Sequence, residues 1–161
     1  MFHIEKDGFK FNEHRPSQIY IESNRLEDCI KYAIANDIRS FSLDKFHGYN
    51  ENNIDFVLNE ELTIEELLLC DDSITDISSI ESLGNLKSLT FSVKKNKFKR
   101  INLALSSRTL VELRTNAFEF IDGIENLDGF KCVVTYLLNS LEVSSVFSYA
   151  LLFQIFFALF H

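Results

Sequence analysis

The apolar positions of this chain recur in phase. Ile64-x-x-Leu67-x-Leu69 restarts as Leu86-x-x-Leu89-x-Phe91 after 22 residues and as Leu110-x-x-Leu113-x-Thr115 after a further 24. Upstream, Ile38-x-x-Phe41-x-Leu43 precedes Ile64 by 26 residues, and Phe130-x-x-Val133 follows Leu110 by 20. Within each unit the last two of these positions alternate with their neighbours, the period of a strand with one buried face. A polar turn such as Asp71-Asp72-Ser73 follows, and Ile74, Ile77, Ile80 and Leu83 lead back to the next strand. One unit cannot bury its own apolar face. The pattern therefore predicts units stacked around a continuous core.

The first 37 residues follow another rhythm. Phe2-His3-Ile4 and Phe9-Lys10-Phe11 flank Asp7-Gly8, a two-residue hairpin signal. Ile19 and Ile21 alternate with polar neighbours as in a short strand. Asn24 stands before the acidic turn Arg25-Leu26-Glu27-Asp28, and Leu26, Cys29, Ile30, Ala33 and Ile34 keep a helical period. A helix over 25–36 is predicted, ended by Asn36-Asp37. Residues 1–37 thus form an N-terminal capping unit ahead of repeats over 38–132.

The connection after the strand at 64–69 contains Asp76-Ile77-Ser78-Ser79-Ile80-Glu81-Ser82-Leu83-Gly84-Asn85-Leu86. Phe120-Ile121-Asp122-Gly123-Ile124-Glu125-Asn126-Leu127 echoes it in a shifted register. With the phased strands, these stretches resemble a leucine-rich repeat protein with internalin-like 22-residue repeats. The resemblance spans 38–132 and is densest over 60–91. It implies an α/β leucine-rich-repeat solenoid with a parallel sheet on its concave face and an α/β N-terminal cap. It also implies a non-catalytic protein–protein interaction module. The ninth repeat position, where the family carries Asn, holds Phe46, Asp72, Lys94 and Phe118. Irregular turns are expected there.

If the strands run parallel, the residues between the buried positions line the concave face. One lane carries Ser40, Glu66, Ser88, Glu112 and Cys132; the next carries Ser42, Leu68, Thr90, Arg114 and Val134. The partner-binding residues expected are Ser40, Ser42, Glu66, Leu68, Ser88, Thr90, Glu112 and Arg114. Hydroxyls, two acids, one Arg and one Leu make a mixed surface suited to protein contacts.

At 161 residues the chain is sized for one domain, with 46% apolar and 25% charged residues. Sixteen Lys and Arg against 24 Asp and Glu leave a net charge of −8. That balance works against nucleic acid as the partner. Joined to the repeat-family resemblance, which implies protein binding, it points to a basic protein, such as a toxin neutralised by an immunity-type bacterial protein. Cys29, Cys70 and Cys132 include no C-x-x-C pair, so neither a disulfide framework nor a zinc site is expected. An odd count of thiols and a charged, h-region-free start indicate a cytoplasmic protein.

Other candidate chemistry is sparse. His3, His14, His47 and His161 have no close spacing, and no nucleotide-binding, nucleophile-elbow or metal motif occurs. No cofactor, no metal and no catalytic residue is expected. Asp71, Asp72 and Asp76 fit a turn better than a cation site, and Glu60-Glu61 and Glu65-Glu66 fit a surface better than acid–base work. Lys94-Lys95-Asn96-Lys97-Phe98-Lys99-Arg100 is the one cationic cluster, expected in a solvated loop on the convex side, with a nucleic-acid or anionic-lipid contact as the alternative. Cys70 has no histidine near it in sequence.

From Val133 to His161 the only charged side chain is Glu142. Residues 146–160 are apolar all round and must be buried in protein or in lipid. This hydrophobic C-terminal segment, 133–161, is a cap for the last repeat, a membrane anchor, or the altered end of a longer repeat protein. Membrane contact through 146–160 defines the alternative function, a tail-anchored, membrane-associated structural protein, although the stretch is short for a ~30 Å hydrocarbon core.

Overall fold

The computed structural model describes residues 3–94, 97–102, 110–115, 117–122 and 131–134, with the backbone alone for Phe120 and 131–134. Its chain begins with β1 (His3–Lys6), β2 (Phe9–Asn12), β3 (Arg15–Tyr20), α1 (Leu26–Ala35) and β4 (Ser40–Leu43). Then come β5 (Glu66–Leu69), β6 (Ser88–Phe91), β7 (Phe98–Asn102), β8 (Glu112–Thr115), β9 (Phe118–Asp122) and β10 (Lys131–Val134). One eight-stranded sheet has the order β1-β2-β3-β4-β5-β6-β8-β10, and β7 pairs with β9 in a second sheet.

The hairpin forms at Asp7-Gly8 because both residues take positive φ, 54° and 80°, as a tight two-residue turn requires. Its tip is tied to α1. Arg25 donates to the Gly8 carbonyl at 2.8 Å and lies 4.3 Å above the Phe9 ring. Tyr32 donates to Asp7 at 2.7 Å and stacks on Phe9. Asn24 is not the cap of α1. A 3-10 turn at Ser23–Arg25 leads into the helix, and Arg25 stands at the cap without a side-chain bond. Cys29 and Ala33 face the core.

From β3 onward the strands of the large sheet are parallel, β3 to β4, β4 to β5, β5 to β6, β6 to β8 and β8 to β10. Ile19, Phe41, Leu67, Leu89 and Leu113 pair in one row and are all buried. Leu43, Leu69 and Phe91 form a second buried row, which Thr115 continues. There the hydroxyl of Thr115 accepts from the Ala117 amide at 2.9 Å. Tyr49, Ile54, Ile64, Ile74, Ile80 and Leu86 join the same core from the connections. Phe91, Phe98 and Phe118 close the core beneath the second sheet, with the Phe91 and Phe118 rings edge to face at 4.8 Å.

The expected leucine-rich-repeat solenoid is overturned. The molecule is a mixed α/β fold, and its main sheet is mixed because β1, β2 and β3 pair antiparallel. The physical reason lies in the connections. One carries α1, the next carries 3-10 turns at Lys45–His47 and Asp55–Leu58, the next a single 3-10 turn at Ser78–Ser82, and the last two carry β7 and β9. The ninth positions show why no uniform turn repeats. Phe46 projects into solvent, Asp72 accepts from the Lys94 amide at 2.8 Å, and Phe118 is buried in β9. A second correction concerns β10: Lys131 and Val133, not Cys132 and Val134, pair with Glu112 and Arg114. Part of the cationic run lies in β7 rather than in a loop. The C-terminal segment beyond Val134, including 146–160, and most of the second echo at 120–127 lie outside the described residues.

Because Leu67 and Leu89 occupy the centre of the inner row, Leu67→Ala or Leu89→Ala should lower unfolding free energy by about 2–5 kcal/mol in urea titrations.

Candidate functional site

Side chains two apart on a strand share a face. The register therefore aligns Gln18, Ser40, Glu66, Ser88 and Glu112 in one outer row, and Tyr20, Ser42, Leu68, Thr90 and Arg114 in another. All eight residues expected on this face are there, but they divide. Ser40 and Ser42 are buried, whereas Glu66, Leu68, Ser88, Thr90 and Glu112 are half-buried and Arg114 is exposed. The accessible surface is the part on β5, β6 and β8.

Hydrogen bonds run along the first row. Asn12 donates to Gln18 at 3.1 Å, Gln18 to Ser40 at 3.2 Å, and Ser40 to Glu66 at 2.9 Å. Ser88 donates to Glu112 at 3.3 Å, and Arg114 grips the other oxygen of Glu112 through Nε and Nη2 at 3.0 and 2.8 Å. Arg114, with help from Ser88 and Arg15, holds the Glu112 carboxyl below its usual range. Gln18, Ser40, Glu66, Ser88, Glu112 and Arg114 are therefore oriented before anything binds, whereas the buried Ser42 hydroxyl has no hydrogen-bond partner among the described residues.

At the C-terminal ends of β3 and β4 the face is closed by groups that sequence spacing did not single out. Asp44 is 2% and His47 3% exposed, and their Oδ2 and Nδ1 lie 3.0 Å apart. The Tyr20 ring stacks on His47 at 3.7 Å, and the His3 ring meets it edge-on at 5.4 Å. The Asp-x-x-His spacing of 44 and 47 was the available signal; the contact of His3 with His47 spans too much sequence to be read locally. Asp44 also accepts from the Phe46 amide at 2.8 Å, and Gly48 takes φ 108°, where any side chain would be strained. Together these fix the turn that carries Phe46.

Cys70 follows β5 on the same face. Burial, with Asp44 nearby, pushes its thiol up to about 11. Such a thiol is a poor nucleophile at neutral pH. Glu65 and Glu66 do not face one another. Glu65 accepts from Arg39 at 2.8 Å and Lys87 at 2.7 Å, and Lys87 and Arg39 hold it well below its usual range. A hollow of about 500 Å³ beside this ladder is lined by Lys6, Phe11, Ser17, Tyr32, Arg39 and Glu65, among others. Asp72 and Asp76 shape exposed turns, while Asp71 is buried and accepts from the Ser73 amide at 2.7 Å. Among the described residues no group of three His, Cys, Asp or Glu side chains could hold a metal ion. Nor is any helix among them long and apolar enough to cross a membrane.

No family model, no curated protein and no solved structure matches the chain.

Two outcomes follow from these environments. Glu65 and Glu112 have depressed folded-state values, so their contribution to stability is present above the usual carboxylate value of 4.5 and is lost as pH falls through the lower folded value. Urea midpoints should fall on acidification from pH 6 toward pH 3, and the slope should flatten in Glu65→Gln/Glu112→Gln. Iodoacetamide at pH 8 should label Cys70 much more slowly in the native protein than in urea, as mapped by mass spectrometry. Equal rates would refute the raised value.

Proposed function

We propose that the chain is a non-catalytic protein-binding module that contacts its partner through the half-open face of β5, β6 and β8. One observation carries this reading: Glu66, Leu68, Ser88, Thr90, Glu112 and Arg114 stand on adjacent strands around one leucine, with Glu66, Ser88, Glu112 and Arg114 held by side-chain hydrogen bonds. Their fixed positions suit recognition by shape and charge, because little side-chain freedom is lost on binding. Ser40 and Ser42 lie beneath the surface, where Ser40 supports it by donating to Glu66. The raised thiol of Cys70 favours binding over nucleophilic catalysis at this face. Free thiols at Cys29 and Cys70 suit a reducing, cytoplasmic compartment.

The net charge of −8 favours a basic partner. A bacterial immunity-type protein that neutralises a basic toxin fits that charge. Glu66→Lys combined with Arg114→Glu should abolish capture of a partner from cells that express the protein, while the melting temperature stays within a few degrees of the wild type. Partner capture unchanged by both substitutions would remove this face from consideration.

A further inference from the structure

A second surface lies on the rim at the C-terminal ends of β4, β5 and β6. Phe46, Asp72 and Lys94 each stand three residues beyond the cross-strand set Leu43, Leu69 and Phe91. Adjacent strands are ~4.8 Å apart, so the three turns sit side by side. Phe46 is 91% exposed, yet its turn is held by buried Asp44 and His47. Exposed apolar side chains are ordinary when mobile and isolated. This one is presented on a fixed turn between cations. Lys45 precedes it with no described side-chain partner, and Lys94, 80% exposed, stands beyond Asp72. Lys97 reaches the same turn and donates to the Asp72 carbonyl. Three carboxylates belong to these turns: Asp44 and Asp71 are buried and cap them, and the exposed one, Asp72, is partnered by Lys94.

We propose that this rim docks on an anionic lipid surface, with Phe46 entering the headgroup region and Lys45, Lys94 and Lys97 facing the lipid phosphates. This goes beyond the protein-binding reading and is independent of it. Charge complementarity favours the occupant. Among the described residues, the four-residue strand β5 sets the Arg39–Glu65–Lys87 ladder about 13 Å back from the rim. That exceeds the Debye length of ~8 Å at physiological salt, so acids at the strand starts are screened from the membrane. A nucleic acid would need a cationic groove along its backbone and several stacking rings, whereas this rim offers one phenyl. An aromatic side chain with neighbouring lysines is the composition that interfacial binding uses.

Sedimentation of the full-length protein with phosphatidylserine-rich and pure phosphatidylcholine vesicles tests the proposal. Wild type should sediment with the anionic vesicles and release as salt is raised. Lys94→Glu/Lys97→Glu should weaken that binding by about thirtyfold or more, from about a factor of five per lysine near the surface. Phe46→Ala and Lys45→Glu should weaken it too, and both residues are exposed, so melting temperatures should not move. Equal binding to both vesicle types, unchanged binding by all variants, or preference for single-stranded nucleic acid over vesicles would each overturn it. Partner capture through the β5–β6–β8 face is read separately, so failure of either proposal leaves the other visible.

Discussion

The two-residue period of the strand side chains governs this molecule. Ile19, Phe41, Leu67, Leu89 and Leu113 form one inner row only while every parallel pair keeps its register. A slip of one residue in β5 would turn Leu67 and Leu69 outward and carry Glu66 and Leu68 into the core. Burying an unpaired carboxylate is far costlier than burying leucine is favourable. The register is thus specified by both faces at once. Connections need only return the chain to it, which is why a helix, 3-10 turns and added strands can all serve between neighbouring strands.

The N-terminal hairpin solves a different problem. A parallel sheet leaves an unpaired edge, and β3 would expose its backbone groups without β2. The antiparallel pair β1 and β2 covers that edge, and the sheet ends on β1, a strand exposed throughout that carries Glu5 and Lys6. Arg25 and Tyr32 tie the hairpin tip to α1 from two directions. Hairpin, helix and parallel strands share one core through Phe9, Phe11, Cys29 and Ala33.

Much of the local structure was legible in the sequence. Asp7-Gly8 marks the hairpin, the Leu26–Ala33 stripe marks α1, and the phased leucines mark β4, β5, β6 and β8, because periodicity reports directly on which side chains are buried. The architecture was not legible. Repeat phase constrains the strands and says little about the chain between them, so the resemblance implies a uniform solenoid where the connections differ one by one. The shift at β10 has the same origin: Phe130 and Val133 continue the apolar spacing, but hydrogen-bond register places Lys131 opposite Glu112. The outer face was legible as a set of positions, since alternation alone assigns them. Its division was hidden, because Ser40 is buried between its partners Gln18 and Glu66, and Ser42 is buried beside Tyr20, whose ring stacks on His47 from the turn after β4.

That division decides where recognition is feasible. On the closed side, Tyr20, Asp44 and His47 use their polar and aromatic surfaces on one another, leaving little for a partner. Along the open side, Ser88 and Thr90 are short and lose little rotamer freedom on contact, and Glu112 is already held by Arg114 and Ser88. Glu66 differs: one oxygen is oriented by buried Ser40, and the other has no described hydrogen-bond partner. A carboxylate anchored through one oxygen presents the second in a fixed direction beside Leu68. The most demanding contact a partner can make here is therefore a donor aimed at Glu66 with an apolar neighbour over Leu68, a geometry that the parallel register itself enforces.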